Sequence, residues 1–529
     1  MQIKRLCVRD HLCLVDFEID FNTINGGSST ILIGENGTGK STMLETILEI
    51  LMSFDSKARE KYLDYDYVLE YTYAQKDISI SKVDREYRIE IDGNVIEGKF
   101  DRINAIIKDE SIFPQRIITF YSGLNNRMLK NLSFENRSYK IHCRKTLEKY
   151  LKVINNEIEE QTPKIPQFPK KKYYYCDEKM VPLYLTAILD GTYSHEKEYL
   201  QKECHFDRIH SVDMSLDLDR VEWLFNKEHF VEDVPRDFYF IVDFLDYRFT
   251  DILRRSFLYS ENGKGYFSFS GVDELGIDSI SILNFYEVLQ SLFNAEFRVS
   301  VAYGEAVTTC EAMSEGQRQL IKVLGMLGVC KTEDCLVLMD EPDAHMNPKW
   351  KYEIKDTIDQ SLMGAVNTQA IIATHDPLVI NGVSKEFIRI FTHNQFVATN
   401  NGYYFTKVIA PTEDTEGLGI DGLLQSEYYG MPSVLDSDTK KKMNKRHDLL
   451  IKKKEGTITE DETQSLLELT NELESMVFAR NVPTDSYYDE YVAAMHKIYR
   501  DRTKATLTAE DIAERNAKAE EILRGLLEK

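Results

Sequence analysis

The stretch Gly34-Glu35-Asn36-Gly37-Thr38-Gly39-Lys40-Ser41 constrains this chain more than any other. An apolar run from Ser29 to Ile33 leads into it, and Met43, Leu44, Ile47, Ile50 and Leu51 follow at helical spacing through Phe54. A strand, a glycine loop and a helix in that order make a phosphate cradle. The glycines let backbone N–H groups face the anion, and the helix N-terminus adds its partial positive charge. In such a cradle Lys40 reaches the terminal phosphates and Ser41 ligates magnesium, with Asn36, Gly37, Thr38, Gly39 and Thr42 completing the nucleotide contacts.

Three later segments fit the same chemistry. Cys335-Leu336-Val337-Leu338-Met339 is a short apolar run ending in Asp340-Glu341-Pro342, the pattern of a central parallel strand with two carboxylates at its terminus. Asp340 there is expected to hold Mg2+ through water, and Glu341 to orient or deprotonate the attacking water. Gln369 to Thr374 reads as the next strand, and it delivers His375 to a position where a side-chain donor can contact the terminal phosphate. Met313-Ser314-Glu315-Gly316-Gln317 opens a helix over Glu315 to Val329, so Ser314, Gly316 and Gln317 offer a hydroxyl and a helix N-terminus to an anion.

The remaining chain gives a coarser map. Gln2 to Val8, Val15 to Phe21, Tyr67 to Tyr73, Ile78 to Lys82 and Glu86 to Ile91 read as strands, the last closed by an Asp92-Gly93 hairpin signal. Arg116 to Tyr121 is a further buried strand. The expected division is an N-terminal nucleotide-binding half over 1–130, a mostly helical insertion over 131–296, a second half over 297–430 resuming with Phe297 to Val301, and a charged helical region over 431–529. In that last region Thr459 and Glu462 form a capping box ahead of Leu466, Leu467, Leu469 and Leu473. That helix suits a self-packed pair or a partner-docking module.

The 529 residues include 43% hydrophobic and 29% charged positions, as in soluble globular proteins. No apolar run is long enough for a membrane span and the chain opens on a strand pattern, so a cytoplasmic location is expected. Eight cysteines without paired CxxC spacing favour neither a disulfide framework nor a zinc site, Cys204-His205 with His210 included. A net charge of −23 repels nucleic acid, so contact with it needs a local patch or a partner protein. Lys170 to Lys172, Arg254-Arg255, and Lys440 to Lys442 with Lys445, Arg446 and Lys452 to Lys454 are the basic candidates, each equally readable as a solvated face.

The segments GENGTGKST, MSEGQ, LVLMDEPDAHMNP and IIATHDPLVI resemble the RecF, SMC and OLD branch of ATP-binding cassette (ABC) ATPases. Within that branch the chain is similar to the PtuA ATPases of Septu-type antiphage systems, which also occur linked to retrons. Its length, the Gly417-Leu418-Gly419-Ile420-Asp421-Gly422-Leu423-Leu424 stretch with Ser426-Glu427, and the charged tail support this. The resemblance implies an α/β P-loop ATPase that binds ATP and Mg2+ and hydrolyses ATP slowly. It also implies a homodimer or higher oligomer, with each ATP clamped between one subunit's phosphate loop and the other's Ser314 and Gly316. An HNH nuclease partner, and in retron-linked systems a reverse transcriptase and its msDNA, belong to the same expectation.

Two departures stand out. Met313 and Glu315 replace the leucine and glycine of many relatives, and Tyr121-Ser122-Gly123 stands where a magnesium-sensing glutamine usually follows the strand, Gln115 lying before it. Competing readings are an OLD-type ATPase with its own nuclease and a RecF-like repair factor. The former needs strand-borne acids, for which Asp436-Ser437-Asp438 is the candidate, readable equally as a helix cap.

Overall fold

A computed structural model describes residues 1–21, 29–55, 63–122, 127–154, 168–189, 194–217, 230–231, 234–235, 257–261, 264–269, 279–331, 334–365, 367–394, 405–431, 433–454, 456–475, 514–515, 517–522 and 524. Arg254 and Arg255, the proline-broken stretch at Pro163 and Pro166, and most of the charged tail lie outside the described residues. The chain divides into two compact units, 1–380 with 386–410, and 381–385 with 411–529.

The first unit is organised by a seven-stranded sheet in the order Phe405–Ile409, Ile388–Asn394, Ser29–Gly34, Gln369–Ala373, Cys335–Asp340, Arg116–Tyr121, Tyr173–Tyr175. All pairings are parallel except the edge strand Phe405–Ile409. Every residue of Cys335–Asp340 and Gln369–Ala373 is buried, which explains apolar runs without alternation: both sheet faces are covered. The register aligns Asp340 with Ala373 and with Tyr121, Ala373 with Leu32, and Gly34 with Phe391. The carboxyl ends of strands far apart in sequence therefore meet along one edge, where open parallel sheets bind ligands.

A second, antiparallel sheet runs Phe17–Asp20, Gln2–Arg9, Asp66–Tyr73, Lys76–Val83, Glu86–Ile91, Asn94–Gly98. Its strands alternate, with Tyr67, Leu69, Tyr71 and Tyr73 buried and their neighbours partly exposed. Asp92 and Gly93 both take positive φ, 48° and 82°, which the tight hairpin requires. The Lys40–Ser53 helix is buried along almost its entire length. Met43, Leu44, Ile47 and Leu51 join Leu69, Ile80 and Ile89 of the antiparallel sheet and Leu338 and Ile371 of the parallel one in a single apolar core.

The insertion departs from its expected form. Helices Arg127–Ile154, Val181–Leu189, Ser194–Cys204 and Ser279–Phe293 are accompanied by an antiparallel sheet ordered Phe257–Glu261, Lys264–Phe269, Ile209–Asp217, Glu296–Tyr303, Ala306–Thr309. Phe297 to Val301 thus pairs with Ile209–Asp217 and does not resume the nucleotide-binding sheet. Alternation gives the period of a strand but not its partner, and Val299 and Val301 are buried against insertion strands. Tyr173–Tyr175 makes the opposite move, leaving the insertion to edge the parallel sheet beside Arg116–Tyr121.

The basic run at 170–172 is spent inside the chain. Lys171 pairs with Glu287 and Lys172 with Asp55, both at 2.8 Å, and Lys171 also lies over the Tyr174 ring. In the second unit, Thr459 and Glu462 form the expected reciprocal cap, and the Glu460–Ser475 helix packs on Ser437–Lys454 through Leu449, Leu466 and Leu473. Lys442 and Lys452 pair with Glu472 and Glu462 across that hairpin, and Arg446 donates to Thr470. This unit opens at Pro411, ahead of the composition change near Gly430, because Thr415 and Asp414 bind the 381–385 backbone. No helix among the described residues is long and apolar enough to cross a membrane.

Candidate active site

The glycine loop is shaped by close approaches that only glycine allows. A Cβ at Gly34 would lie 2.2 Å from the Phe391 carbonyl oxygen, and one at Gly39 would lie 2.4 Å from Thr406 Oγ1. Gly34, Gly37 and Gly39 also take φ of 147°, 86° and 96°, in the region L side chains avoid. Thr38 donates its hydroxyl to the Glu35 carbonyl at 2.7 Å, and Thr406 donates to the Thr38 carbonyl at 2.9 Å, bracing the loop from the edge strand. Gly39 caps the Lys40–Ser53 helix with no side-chain hydrogen bond, so the first-turn N–H groups face the cleft without a side-chain competitor. Lys40 Nζ donates to the Gly34 and Glu35 carbonyls at 2.7 and 3.2 Å. Burial holds its pKa below the usual lysine range, with the Glu341 and Asp340 carboxylates opposing the shift.

The strand ends deliver the remaining groups. A cleft of about 460 Å³ is lined by Asn36, Gly37, Thr38, Gly39, Lys40, Ser41, Thr42, Tyr121, Asp340, Glu341 and His375. Asp340 is buried as the last residue of its strand. Glu341 follows with φ 54°, a left-handed conformation unusual for glutamate, and its carboxylate meets His375 Nδ1 at 2.6 Å. Burial raises the Glu341 pKa, opposed by the hydrogen bond and charge of His375. Asp343 behind it is also raised by burial, with a Thr374 hydrogen bond opposing.

The donor set suits a magnesium nucleotide. Backbone N–H groups, a helix N-terminus and the Lys40 ammonium face the cleft, beside the Asp340 carboxylate at a strand end and the Ser41 and Thr42 hydroxyls of the first helical turn. Ser314, Gly316 and Gln317 do not line this cleft. They open the Glu315–Cys330 helix, where Ser314 Oγ accepts from Gln317 N at 3.2 Å and the Gln317 side chain accepts from Ser314 N at 3.0 Å. The Ser314 and Gln317 side chains cap their own helix.

Sequence reading set Tyr121 and Ser122 at the position of a magnesium-sensing glutamine without giving either a role, and it did not mark Gln319 beneath the Glu341 turn. Tyr121 follows from strand register alone, since it pairs with Asp340. Gln319 carried a weaker signal, a glutamine on the helix face that buries Leu320, Val323 and Leu327.

Residues 194–381 match the family described as "AAA domain, putative AbiEii toxin, Type IV TA system". That match spans the Ser314 segment, Asp340, Glu341 and His375. The chain is 22% identical to "Retron Vc95 probable ATPase" of Vibrio cholerae serotype O1 biovar El Tor over 80% of its own length and 79% of that protein. It is 24% identical to "Septu protein PtuA" of Bacillus mycoides over 30% of its length and 23% of that protein. The chain is thus similar to a retron ATPase over most of its length and to a Septu protein over a shorter stretch. Its ATPase domain has mixed α/β sheets, with the acidic strand inside the matched residues 194–381.

Proposed function

We propose that this chain is an ABC-type ATPase of the RecF and SMC kind, acting as the regulatory subunit of an antiphage complex. The observation that carries the reading is the convergence of Lys40, Asp340, Glu341 and His375 on one cleft from strands scattered through the sequence. Lys40 and the loop N–H groups bind and orient the phosphates. Ser41, and Asp340 through water, would hold Mg2+, which when bound would neutralise phosphate charge. Glu341 takes the proton of the attacking water and returns it to solvent through its neighbour His375, which also senses the terminal phosphate.

The Ser314 helix serves the nucleotide of a second copy, giving a homodimer or higher oligomer with ATP at the interface. Similarity to a Septu protein and a retron ATPase supports an HNH nuclease as the regulated partner, with a retron reverse transcriptase and msDNA as further partners in a cytoplasmic assembly. Nucleic acid is met through the partner, a reading supported by Lys171, Lys172, Lys442 and Lys452, which pair with acids of the same chain. Against an intrinsic nuclease, Asp436 accepts from Asp438 N and Thr439 N, both at 3.0 Å, as a helix cap, and Asp438 pairs with Lys442 at 3.0 Å.

The test is purification of the tagged chain from its native locus, with nuclease assays of parent and Lys40→Ala preparations. A stoichiometric HNH protein carrying the cleavage supports the reading. Cleavage by this chain alone, lost in Asp436→Ala, overturns it in favour of an OLD-type nuclease.

A further inference from the structure

Glu341 occupies a backbone conformation that costs a non-glycine residue on the order of 1 kcal/mol or more, so something must hold it there. Its N–H donates to the Ala373 carbonyl at 2.8 Å, fixing it to the neighbouring strand. Its carbonyl accepts from Ser122 Oγ at 2.7 Å. Ser122 Oγ in turn accepts from Gln319 Nε2 at 2.7 Å, and the same amide donates to the Pro342 carbonyl at 3.0 Å. Gln319 is buried and does not line the cleft. Both its N–H groups are thus spent on the two residues that bracket Glu341, and neither is available to a nucleotide.

The origin of that amide gives the network its meaning. Gln319 sits on the Glu315–Cys330 helix, five residues past the Ser314 cap, or roughly 7.5 Å along the axis. The same helix touches the segment after Glu341 a second time. A Cβ at Gly316 would lie 2.7 Å from the His345 carbonyl oxygen, and Glu315 approaches His345 Nδ1 at 3.3 Å. A rigid helix contacting one turn at both points transmits displacement of its N-terminus to that turn.

We propose that Gln319 is a positioning residue that couples the Ser314 helix to the orientation of Glu341. Engagement of that helix N-terminus by an anion on a second copy is then read, through Gln319 and Ser122, as a change in how Glu341 meets the attacking water. The inference rests on the hydrolytic reading of Glu341 given above.

The test uses the full chain in its native assembly and compares the parent with Gln319→Met, which keeps length but removes both donors, and with Ser122→Ala. ATP affinity, kcat, KM and melting temperature are measured for each. The expected result is a kcat lowered about 10-fold or more with ATP affinity within about two-fold of the parent. The double variant should fall no further than Gln319→Met alone, because both act through one chain of bonds. An unchanged kcat, or additive losses in the double variant, overturns the proposal. So does a kcat loss matched by equal loss of affinity and melting temperature. Should Gln319→Met fail to fold, Ser122→Ala decides by the same kcat criterion. Glu341→Gln run in parallel separates the two failures. Parent-like turnover there removes the hydrolytic reading, whereas loss there with parent-like Gln319→Met removes only the coupling.

Discussion

Two helix N-termini among the described residues carry sequences suited to a phosphate, and they treat their orphan N–H groups in opposite ways. The Lys40–Ser53 helix begins at Gly39 with no side-chain cap and no acid in its first turn, while the Glu315–Cys330 helix begins at Ser314 with a complete capping box and Glu315 in its first turn. The first leaves its orphan N–H groups to whatever anion enters the cleft. The second satisfies two of its four from its own side chains and places a negative charge where the helix dipole favours one. An anion binding at Ser314 meets the Glu315 and Gly316 N–H groups left by the cap, beside the Glu315 carboxylate, whereas one binding at Lys40 displaces only backbone carbonyls from the ammonium. The loop is preorganised for nucleotide; the Ser314 terminus is conditional on it.

Substitutions test that contrast, beginning with the largest effect. Lys40→Ala should abolish ATP binding, lowering affinity on the order of 100-fold or more by titration calorimetry, since Lys40 is the one ammonium among the described residues that line the cleft. Measured affinity near the parent's would break the contrast at its root.

Glu341→Gln should keep ATP affinity while turnover drops roughly 100-fold or more. The raised pKa of Glu341 also fixes a pH dependence. As a base it must be ionised, so parent turnover should fall as pH drops through a value above the usual glutamate range. For stability the sign is opposite. A folded-state carboxyl pKa above its unfolded value means stability is lost as pH rises between the two, so Glu341→Gln should melt no lower than the parent at neutral pH. A turnover profile flat through this range would remove Glu341 as the base.

Gly39→Ala should weaken ATP binding by about 10-fold or more, because its Cβ would lie 2.4 Å from Thr406 Oγ1 at a φ of 96°. Equilibrium binding checks it, and parent-like affinity would show that the loop is not shaped by that approach. The smallest effect is at Ser314. Replacement by alanine should cost about 1 kcal/mol of stability in denaturant unfolding with ATP affinity of the isolated monomer unchanged. Ser314→Arg should in addition block ATP-dependent association by light scattering. Dimerisation like the parent's would sink the clamp, and with it the conditional role of this terminus.

Much of the site was legible before any fold was known, and the reason is physical. Phosphate binding by backbone demands glycines at fixed spacing, so Gly34, Gly37 and Gly39 are visible as letters. A buried parallel strand demands an unbroken apolar run, so Cys335 to Met339 announces that Asp340 and Glu341 stand at its end. The Thr459 cap was readable for the same kind of reason, being a pair of side chains three residues apart. Reading failed where the decisive partner is distant. Phe297 to Val301 has the alternation of a strand, but its letters do not say that Ile209–Asp217 is its neighbour. Gln319 looks like any helical glutamine until Ser122 and Pro342 are brought beneath it.

By itself, then, the sequence determined a phosphate loop, an acidic strand end, a histidine and a capped second helix, each a local pattern whose chemistry lies within a few residues. Only the tertiary structure decided that Lys40, Glu341 and His375 share one cleft while Ser314 does not line it. Only the tertiary structure shows that an insertion strand edges the nucleotide sheet and that a buried amide ties the second helix to the Glu341 turn. Local backbone requirements are written in consecutive letters. Strand order and side-chain convergence depend on which buried surfaces fit together, a property of the packed whole.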